Sequence, residues 1–425
     1  MKELANLLNI AIEKIKNTNT VIQVVSHLDA DGVSAAAIIS SVLYQLKKDF
    51  QVTFVKMIKP EIADTINERE PKLTIFTDVG SGYIDVLKKI KSDIIILDHH
   101  EVEGTPSDNM IHINPLDFDL ELSGAGITYL LAKEALKNNT LAPIAVVGTI
   151  GDVSYSADLK IFENPFIEIE RGLNLFGRYT RPLYKSLEYS GIPGINSSSK
   201  ALQFMSEIGI ETQKNGDWVT LSDLDNDEKK RLTDAIIREG LKSKSFKADS
   251  LFSNNLTLKS FQEELRDPKE FATILNACAN MNEPATGLAL CLGSEKALKE
   301  ARGVLRGYRR LIGNYMRWVE SNPDSIKKTE KADYLIADDN INENLIGTIV
   351  SMLFKPKEKT LFGFANAEDG IKISVRSKSF DVQKVVTEAA KICNGRGGGH
   401  EFAAGATIPL EEKDKFIEKC ESMIK

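Results

Sequence analysis

Cysteine is scarce in this chain and forms no pattern. The four cysteines among 425 residues, Cys278, Cys291, Cys393 and Cys420, make no Cys-x-x-Cys and no Cys/His pairing. A structural zinc site needs clustered thiolates or imidazoles, and a disulfide framework needs a dense, paired set. Both are excluded, and free thiols in a reducing cytoplasm are expected. Long apolar runs are also missing: no stretch of eighteen apolar residues occurs, so no membrane-spanning helix is expected. The first twenty residues carry charges through their apolar positions and read as an amphipathic helix, not a signal peptide. There is no repeat and no low-complexity tract. Positive charge is in deficit as well. The formal net charge is −7, so the whole-chain field does not favour a polyanion. Contact with nucleic acid would need bound cations or a local basic strip.

The length suggests two or three domains. Over the first 155 residues, short β-branched runs (TVIQVVS, QVTFVK, LTIFTD, DIIILD) alternate with helix-like stretches. This is the signature of a parallel sheet buried on both faces. Ser123 reads as the N-cap of a helix. The expected fold class is α/β. It comprises an N-terminal parallel-sheet domain (1–160), a mostly helical insert or extension (161–293), a linker helix (294–325) and a smaller α/β domain (326–425). In that last domain, a glycine-rich loop separates the final helices and strands.

Four of the five histidines fall in short polar clusters. His27 lies in SHLDADG (26–32), His99 and His100 in LDHH (97–100), and His400 in GRGGGH (395–400). Two further segments, FTDVGSG (76–82) and GTIGDVS (148–154), contribute Asp78 and Asp152. Open α/β sheets place ligands at the carboxyl ends of their strands. Asp29 and Asp31 alternate at such an end, and alternate residues of an extended segment point the same way. Each aspartate alone reads equally well as a helix cap. Together, Asp29, Asp31, Asp78, Asp98 and Asp152 would gather at one sheet edge. Carboxylates packed that closely repel by about 4 kcal/mol per pair at intermediate dielectric, so either their pKa values rise or cations hold them. A mixed imidazole and carboxylate set suits Mn²⁺, whereas Mg²⁺ prefers oxygen ligands. Two ions bridged by a shared aspartate would fit two-metal hydrolysis of a phosphate ester.

The DADG turn, the Asp-His-His triplet and GGGH, in this order, closely resemble the DHH phosphoesterase superfamily, and within it the RecJ-like exonucleases of archaeal type. The resemblance covers the first 155 residues and resumes at 330–425 as a DHH-associated C-terminal domain with SVRS and GRGGGHEFAAG. About 160–290 carries no recognised motif. The resemblance implies that His27 and Asp29 hold a first Mn²⁺, that Asp31, His99 and Asp152 hold a second, and that Asp78 bridges them, with Mg²⁺ as a substitute. It assigns Asp98 to orienting a ligand imidazole and His100 to the scissile phosphate. It assigns Arg376, Arg396, Gly398, Gly399 and His400 to gripping a substrate phosphate. Implied partners are single-stranded DNA or RNA and, through relatives of archaeal RecJ, the GINS complex and the replicative helicase. The five-stranded oligonucleotide-binding barrel of bacterial RecJ has no counterpart here, so grip on long strands is expected from partner proteins.

Between the two lobes, Lys299, Arg302, Arg306, Arg309, Arg310 and Arg317 recur at helical spacing. They read either as a nucleic-acid stripe, with Tyr308 and Tyr315 available for stacking, or as a solvated face. Two other functions compete with the exonuclease reading. One is a phosphodiesterase for short oligonucleotides or cyclic dinucleotides, and the other is a replication-complex subunit whose main role is binding.

Overall fold

The computed structural model describes residues 2–152, 162–243, 251–354 and 359–424. The chain divides into two compact units, Met1–Arg302 and Gly303–Lys425.

The first unit opens with α1 (Lys2–Asn17), β1 (Ile22–His27), α2 (Ala30–Gln45), β2 (Phe50–Val55) and α3 (Pro60–Glu68). It continues with β3 (Leu73–Thr77), α4 (Ile84–Leu87), β4 (Asp93–Leu97), β5 (Met110–Ile113), α5 (Gly124–Leu136) and α6 (Ala142–Gly151). The β-branched runs form a five-stranded sheet in the order β2-β1-β3-β4-β5. All its pairings are parallel. The first connection runs to one side of β1 and the second to the other, so the order reverses between β1 and β3. That reversal opens a crevice beyond the strand ends, where such sheets take ligands. Helix α2 supplies the packing that narrows the crevice. Its run of small residues, Ala35 to Ala37, is fully buried, and it packs against α5 and α6.

A second module follows, with β6 (Ile167–Leu173), α7 (Leu183–Glu188), α8 (Ser198–Glu207), β7 (Gln213–Lys214), β8 (Asp217–Trp218), α9 (Asn226–Gly240) and β9 (Phe252–Leu258). It has its own core around Leu183, Leu187, Met205 and Leu232. The expectation of a mostly helical segment misses two antiparallel ribbons here, β6 with β9 and β7 with β8. The partners of the longer ribbon lie about eighty residues apart, beyond the reach of local pattern. The chain then returns to the first sheet's helices. α10 (Pro268–Asn280) packs on α6 and α2, and α11 (Pro284–Cys291) packs on α2. The expected boundary at 160/161 lies outside the described residues, as do Val153 and Ser154.

Helix α12 (Glu295–Ser321) contains the division between the units. The second unit comprises β10 (Ile326–Lys328), β11 (Ala332–Asp338), α13 (Ile346–Leu353), β12 (Thr360–Ala367) and β13 (Gly370–Arg376). It ends with α14 (Val382–Ile392), β14 (Arg396–His400), β15 (Ala403–Ile408) and α15 (Lys413–Met423). Its sheet runs β10-β11-β12-β13-β15-β14. The glycine-rich segment expected as a loop is the edge strand β14, paired antiparallel with β15 from Arg396↔Thr407 to His400↔Ala403. Close backbone approach accounts for two of the glycines, though a Cβ at Gly398 would meet nothing within 4 Å. A Cβ at Gly395 would stand 2.3 Å from the Thr407 carbonyl oxygen, and one at Gly397 would stand 2.9 Å from that of Val386. Only bare backbone fits between α14 and β15 at these two positions.

Candidate metal centre

Six side chains converge on the crevice beyond β1 and β3. His27 ends β1, and Asp29 caps α2, its Oδ1 accepting from Gly32 N at 3.0 Å. Asp31 follows in the first turn of α2. Gly32 permits this tight entry, because a Cβ there would meet the His27 carbonyl oxygen at 2.1 Å. Asp78 follows β3 with φ 57°, a left-handed conformation that aspartate tolerates better than most residues. His99 comes two residues after β4. Asp152 follows helix α6 as its C-cap.

Three overlapping groups, His27/Asp29/Asp78, Asp31/His99/Asp152 and Asp78/His99/His100, each place their ligand atoms within 4.8 Å of one another. Asp78 stands beside the first two. Its Oδ2 lies 3.5 Å from His27 Nδ1, and its Oδ1 lies 3.4 Å from His99 Nε2. His99 Nε2 is also 3.9 Å from Asp31 and 3.8 Å from Asp152. Asp78 is 2% exposed, yet its Oδ1 accepts no hydrogen bond, and His27 Nδ1 is likewise buried without one. Buried polar atoms are seldom left unsatisfied. A mixed oxygen and nitrogen set with an orphaned carboxylate oxygen at its middle fits divalent cations.

The electrostatics follow from crowding. Burial and the neighbouring Asp78 charge push the Asp31 carboxyl up. Hydrogen bonds from Ser123 Oγ (2.8 Å), Gly124 N (2.7 Å) and Ala125 N (3.0 Å) oppose this, since all three sit at the N-terminus of α5. Burial disfavours charge on His99, but the carboxylates of Asp78, Asp31 and Asp152 outweigh it and raise the imidazole to about 10. His27 is raised against its burial by Asp29 and Asp78. As the side chains stand, protons on the imidazoles balance the carboxylates, a task that metal ions can also perform.

Asp98 meets the imidazole of His100, which itself groups with Asp78 and His99. Asp98 Oδ1 lies 2.7 Å from His100 Nδ1 and accepts from His99 N, while its Oδ2 accepts from Ser81 N at 2.8 Å. Fully buried, it is held well below the usual carboxylate range: burial acts against ionisation, but His100 and the Ser81 amide outweigh it. The His100 side chain is 53% exposed, so its Nε2 edge faces solvent while Nδ1 is tied down.

Sequence comparison agrees with this geometry. The DHH family N-terminal domain profile matches residues 21–149, the DHH-CID domain 175–251 and the DHHA1 domain 331–425. The chain belongs to the DHH superfamily. An uncharacterised protein of Methanocaldococcus jannaschii is 28% identical over all of this DHH chain and 98% of its own length. A putative prophage-derived single-strand DNA-specific exonuclease of Bacillus subtilis is 27% identical over 38% of the chain and 30% of its own. Among solved structures, RecJ of Thermus thermophilus in complex with Mn²⁺ shares the fold at TM-score 0.62 and 18% identity. The match covers 99% of this chain and 54% of that one, so the chain spans about half of that RecJ. CDC45 of Entamoeba histolytica shares the fold at TM-score 0.65 and 13% identity over 98% of both chains.

In the DHHA1 domain, Arg376, Ala403 and His400 are directly opposite one another across β13, β15 and β14. Directly opposed residues share a face, which puts the arginine and the histidine in one row. Burial lowers the pKa of Arg376; its guanidinium donates to Ser351 Oγ at 2.9 Å and to the Val375 carbonyl at 2.8 Å. Arg396, Gly398, Gly399 and His400 are exposed along β14. The arginine stripe is reduced. Arg302 is engaged by both oxygens of Glu264, and Tyr308 is buried with its hydroxyl against Thr348. Tyr315 accepts from Asn342 N. Stacking on bases is therefore not open to Tyr308, while Arg306, Arg309, Arg310 and Arg317 stay on the exposed face.

Sequence reading passed over two glycines that shape the centre. A Cβ at Gly124 would stand 2.5 Å from Asp78 Cβ and Oδ1, and one at Gly148 would stand 2.7 Å from Asp31 Oδ1. The signal was present in SGAG and GTIG, small residues at helix starts and ends beside polar ones, but the contacts they permit are long-range. Ser81, His112 and Asn114 were also missed. Ser81 Oγ pairs with His112 Nε2 at 2.9 Å, and Asn114 donates to the His100 carbonyl at 2.8 Å, bracing the loop that carries His99 and His100.

Proposed function

We propose that this chain is a Mn²⁺-dependent exonuclease acting on single-stranded DNA or RNA through two metal ions, in DNA replication or repair. The observation that carries the reading is the pair of three-residue clusters flanking the orphaned Asp78 carboxylate. His27 and Asp29 would hold one ion, Asp31, His99 and Asp152 the other, and Asp78 both. Mg²⁺ would serve as a substitute. When bound, the two ions would supply a water-derived nucleophile at neutral pH and offset the charge developing on the phosphoryl oxygens.

The chain's own groups do the rest. Asp31 is held in place by three hydrogen bonds from the start of α5, which preorganises the second cluster. Asp98 stabilises the His100 imidazolium through Nδ1, which would leave its Nε2–H facing outward to donate to the leaving oxygen. Arg376 and His400 in their cross-strand row would bind a phosphate further along the strand, with the exposed Gly398 and Gly399 beside them. Arg306 and Arg309 of α12 would add contacts to longer strands, which Arg302 is less able to do.

The resemblance to archaeal RecJ brings a second role, docking on the GINS complex and the replicative helicase. The complete ligand set weighs for catalysis over a binding-only subunit. End-labelled single strands of DNA and RNA, each labelled at either end, test the proposal with Mn²⁺ and with chelator. Shortening from one end in Mn²⁺ and none in chelator is expected, and undiminished hydrolysis in excess chelator overturns it.

A further inference from the structure

Across the surface of the 175–251 module, six side chains form a continuous series of ring–cation and ring–ring contacts. The Arg181 guanidinium lies over Phe176, 4.9 Å from the ring centre, and over Tyr189 at 5.6 Å. Lys185 Nζ lies 5.8 Å from the Tyr189 ring and 5.6 Å from that of Tyr184. Tyr184 meets Trp218 with ring centres 4.8 Å apart. Three of the four rings are well exposed: Tyr189 at 68%, Trp218 at 42% and Phe176 at 38%. A core brace would bury such rings. Among the described residues Arg181 makes no ion pair, whereas Lys185 pairs with Glu188 at 2.8 Å. The ladder is thus rich in open π faces and carries a guanidinium with no direct ion pair among the described residues, Glu270 being a nearby opposite charge.

Its position is continuous with the metal centre through α10. The segment leading into the ladder is held by Glu270, which accepts from Tyr179 N and Thr180 Oγ1. Asn276, on the same helix, accepts from Ala30 N between Asp29 and Asp31. Six helical residues separate the two attachment points, a rise of about 9 Å.

We propose that Phe176, Arg181, Tyr184, Lys185, Tyr189 and Trp218 form a stacking platform for the bases of single-stranded nucleic acid. The platform takes unpaired bases because every base offers a π face whatever its sequence, and the guanidinium meets the backbone charge. This rests on the exonuclease reading and extends it from the scissile bond to the strand beyond.

The test measures binding without catalysis. A fluorescently labelled oligothymidylate is titrated with the full chain in chelator, and anisotropy is read for the parent and for a Tyr189→Ala/Trp218→Ala variant. A folding control comes from thermal melting, and Tyr189→Phe/Trp218→Phe keeps the rings if the alanines unfold the module. Loss of a stacked base costs about fivefold to 150-fold, so the alanine pair should weaken binding by at least tenfold while the phenylalanine pair stays near the parent. Arg181→Met, which keeps the apolar stem, should flatten the salt dependence. A folded alanine pair that binds the strand like the parent overturns the proposal. Failure of the exonuclease reading is seen separately, as a parent chain that cuts no strand in Mn²⁺.

Discussion

Replacing Gly124 by alanine should damage the metal centre without touching a ligand. The added methyl would stand 2.5 Å from Asp78 Cβ and 2.8 Å from Asp78 Cα, far inside the ~3.5–4.0 Å at which carbon atoms pack. Neither side yields cheaply. Asp78 is fixed by its left-handed backbone and by its amide, which donates to the Leu97 carbonyl at 2.9 Å. If α5 retreats instead, the 2.7 Å bond from Gly124 N to Asp31 Oδ2 breaks. Overpacking of this kind costs about 1–3 kcal/mol. If that cost falls on the geometry of Asp78 and Asp31, Mn²⁺ affinity should drop by about fivefold to 150-fold. Titration calorimetry with Mn²⁺ reads it, with melting in chelator as the control for folding. Gly126→Ala is the matched comparison, since its methyl meets the Leu122 side chain at 3.3 and 3.4 Å and Ser123 Oγ at 3.6 Å, far looser than the approach at Gly124. A Gly124→Ala chain with parental Mn²⁺ affinity, or a Gly126→Ala chain with an equal loss, refutes the idea that the approach of α5 places the shared carboxylate.

Metal binding at pH 7 should release protons, because His99, raised to about 10, must lose its proton to ligate; calorimetry in buffers of different ionisation enthalpy would show none if this is wrong. A raised histidine pKa stabilises the fold fully below its unfolded value of 6.5 and ceases to do so as pH passes about 10. The chelated chain should therefore melt at a lower temperature at pH 10 than at pH 7, a trend that a flat pH profile contradicts. Asp98→Asn removes the group that raises His100 against its burial, so the basic limb of the pH–kcat profile should move to lower pH, and an unmoved limb removes His100 from proton donation. His400→Ala, at an exposed edge position, should keep Mn²⁺ affinity and melting temperature while KM for a strand rises, and loss of metal in this variant would place the strand β14 in the metal centre instead.

The parallel sheet was legible because its strands are continuous β-branched runs, a local signal that burial on both faces requires. His27, Asp29, Asp31, Asp78 and His99 were legible for a related reason: open sheets bring strand ends together, so polar residues after apolar runs become neighbours. What failed was long-range. The β6 and β9 ribbon joins segments that pattern reads separately. Arg302 looked like part of a stripe because helical spacing says nothing of Glu264. GRGGGH reads as a loop by composition, since glycine is depleted from strands, yet backbone contacts from α14 and β15 leave room for no other residue at Gly395 and Gly397. Asp98 and His100 are two residues apart, and only the turn after β4 decides which imidazole the buried carboxylate meets.

The deficit of positive charge, which at first argued against a polyanion ligand, is partly a property of the centre itself. Asp29, Asp31, Asp78 and Asp152 contribute four negative charges to the formal −7. Two bound divalent ions would cancel those four and bring the chain to −3. The neutralisation is local, at the point where a phosphodiester must approach, and a crevice walled by apolar sheet and helix weakens the screening of whatever field remains. On the proposed reading, the chain would meet polyanions away from the centre without high charge density, through exposed rings interleaved with Arg181 and a short row of Arg376 and His400 on a sheet edge. Affinity built that way depends on unstacked bases and a flexible backbone, which a duplex does not present. An acidic DHH chain of this construction should favour single strands over duplexes because of its charge deficit, not in spite of it.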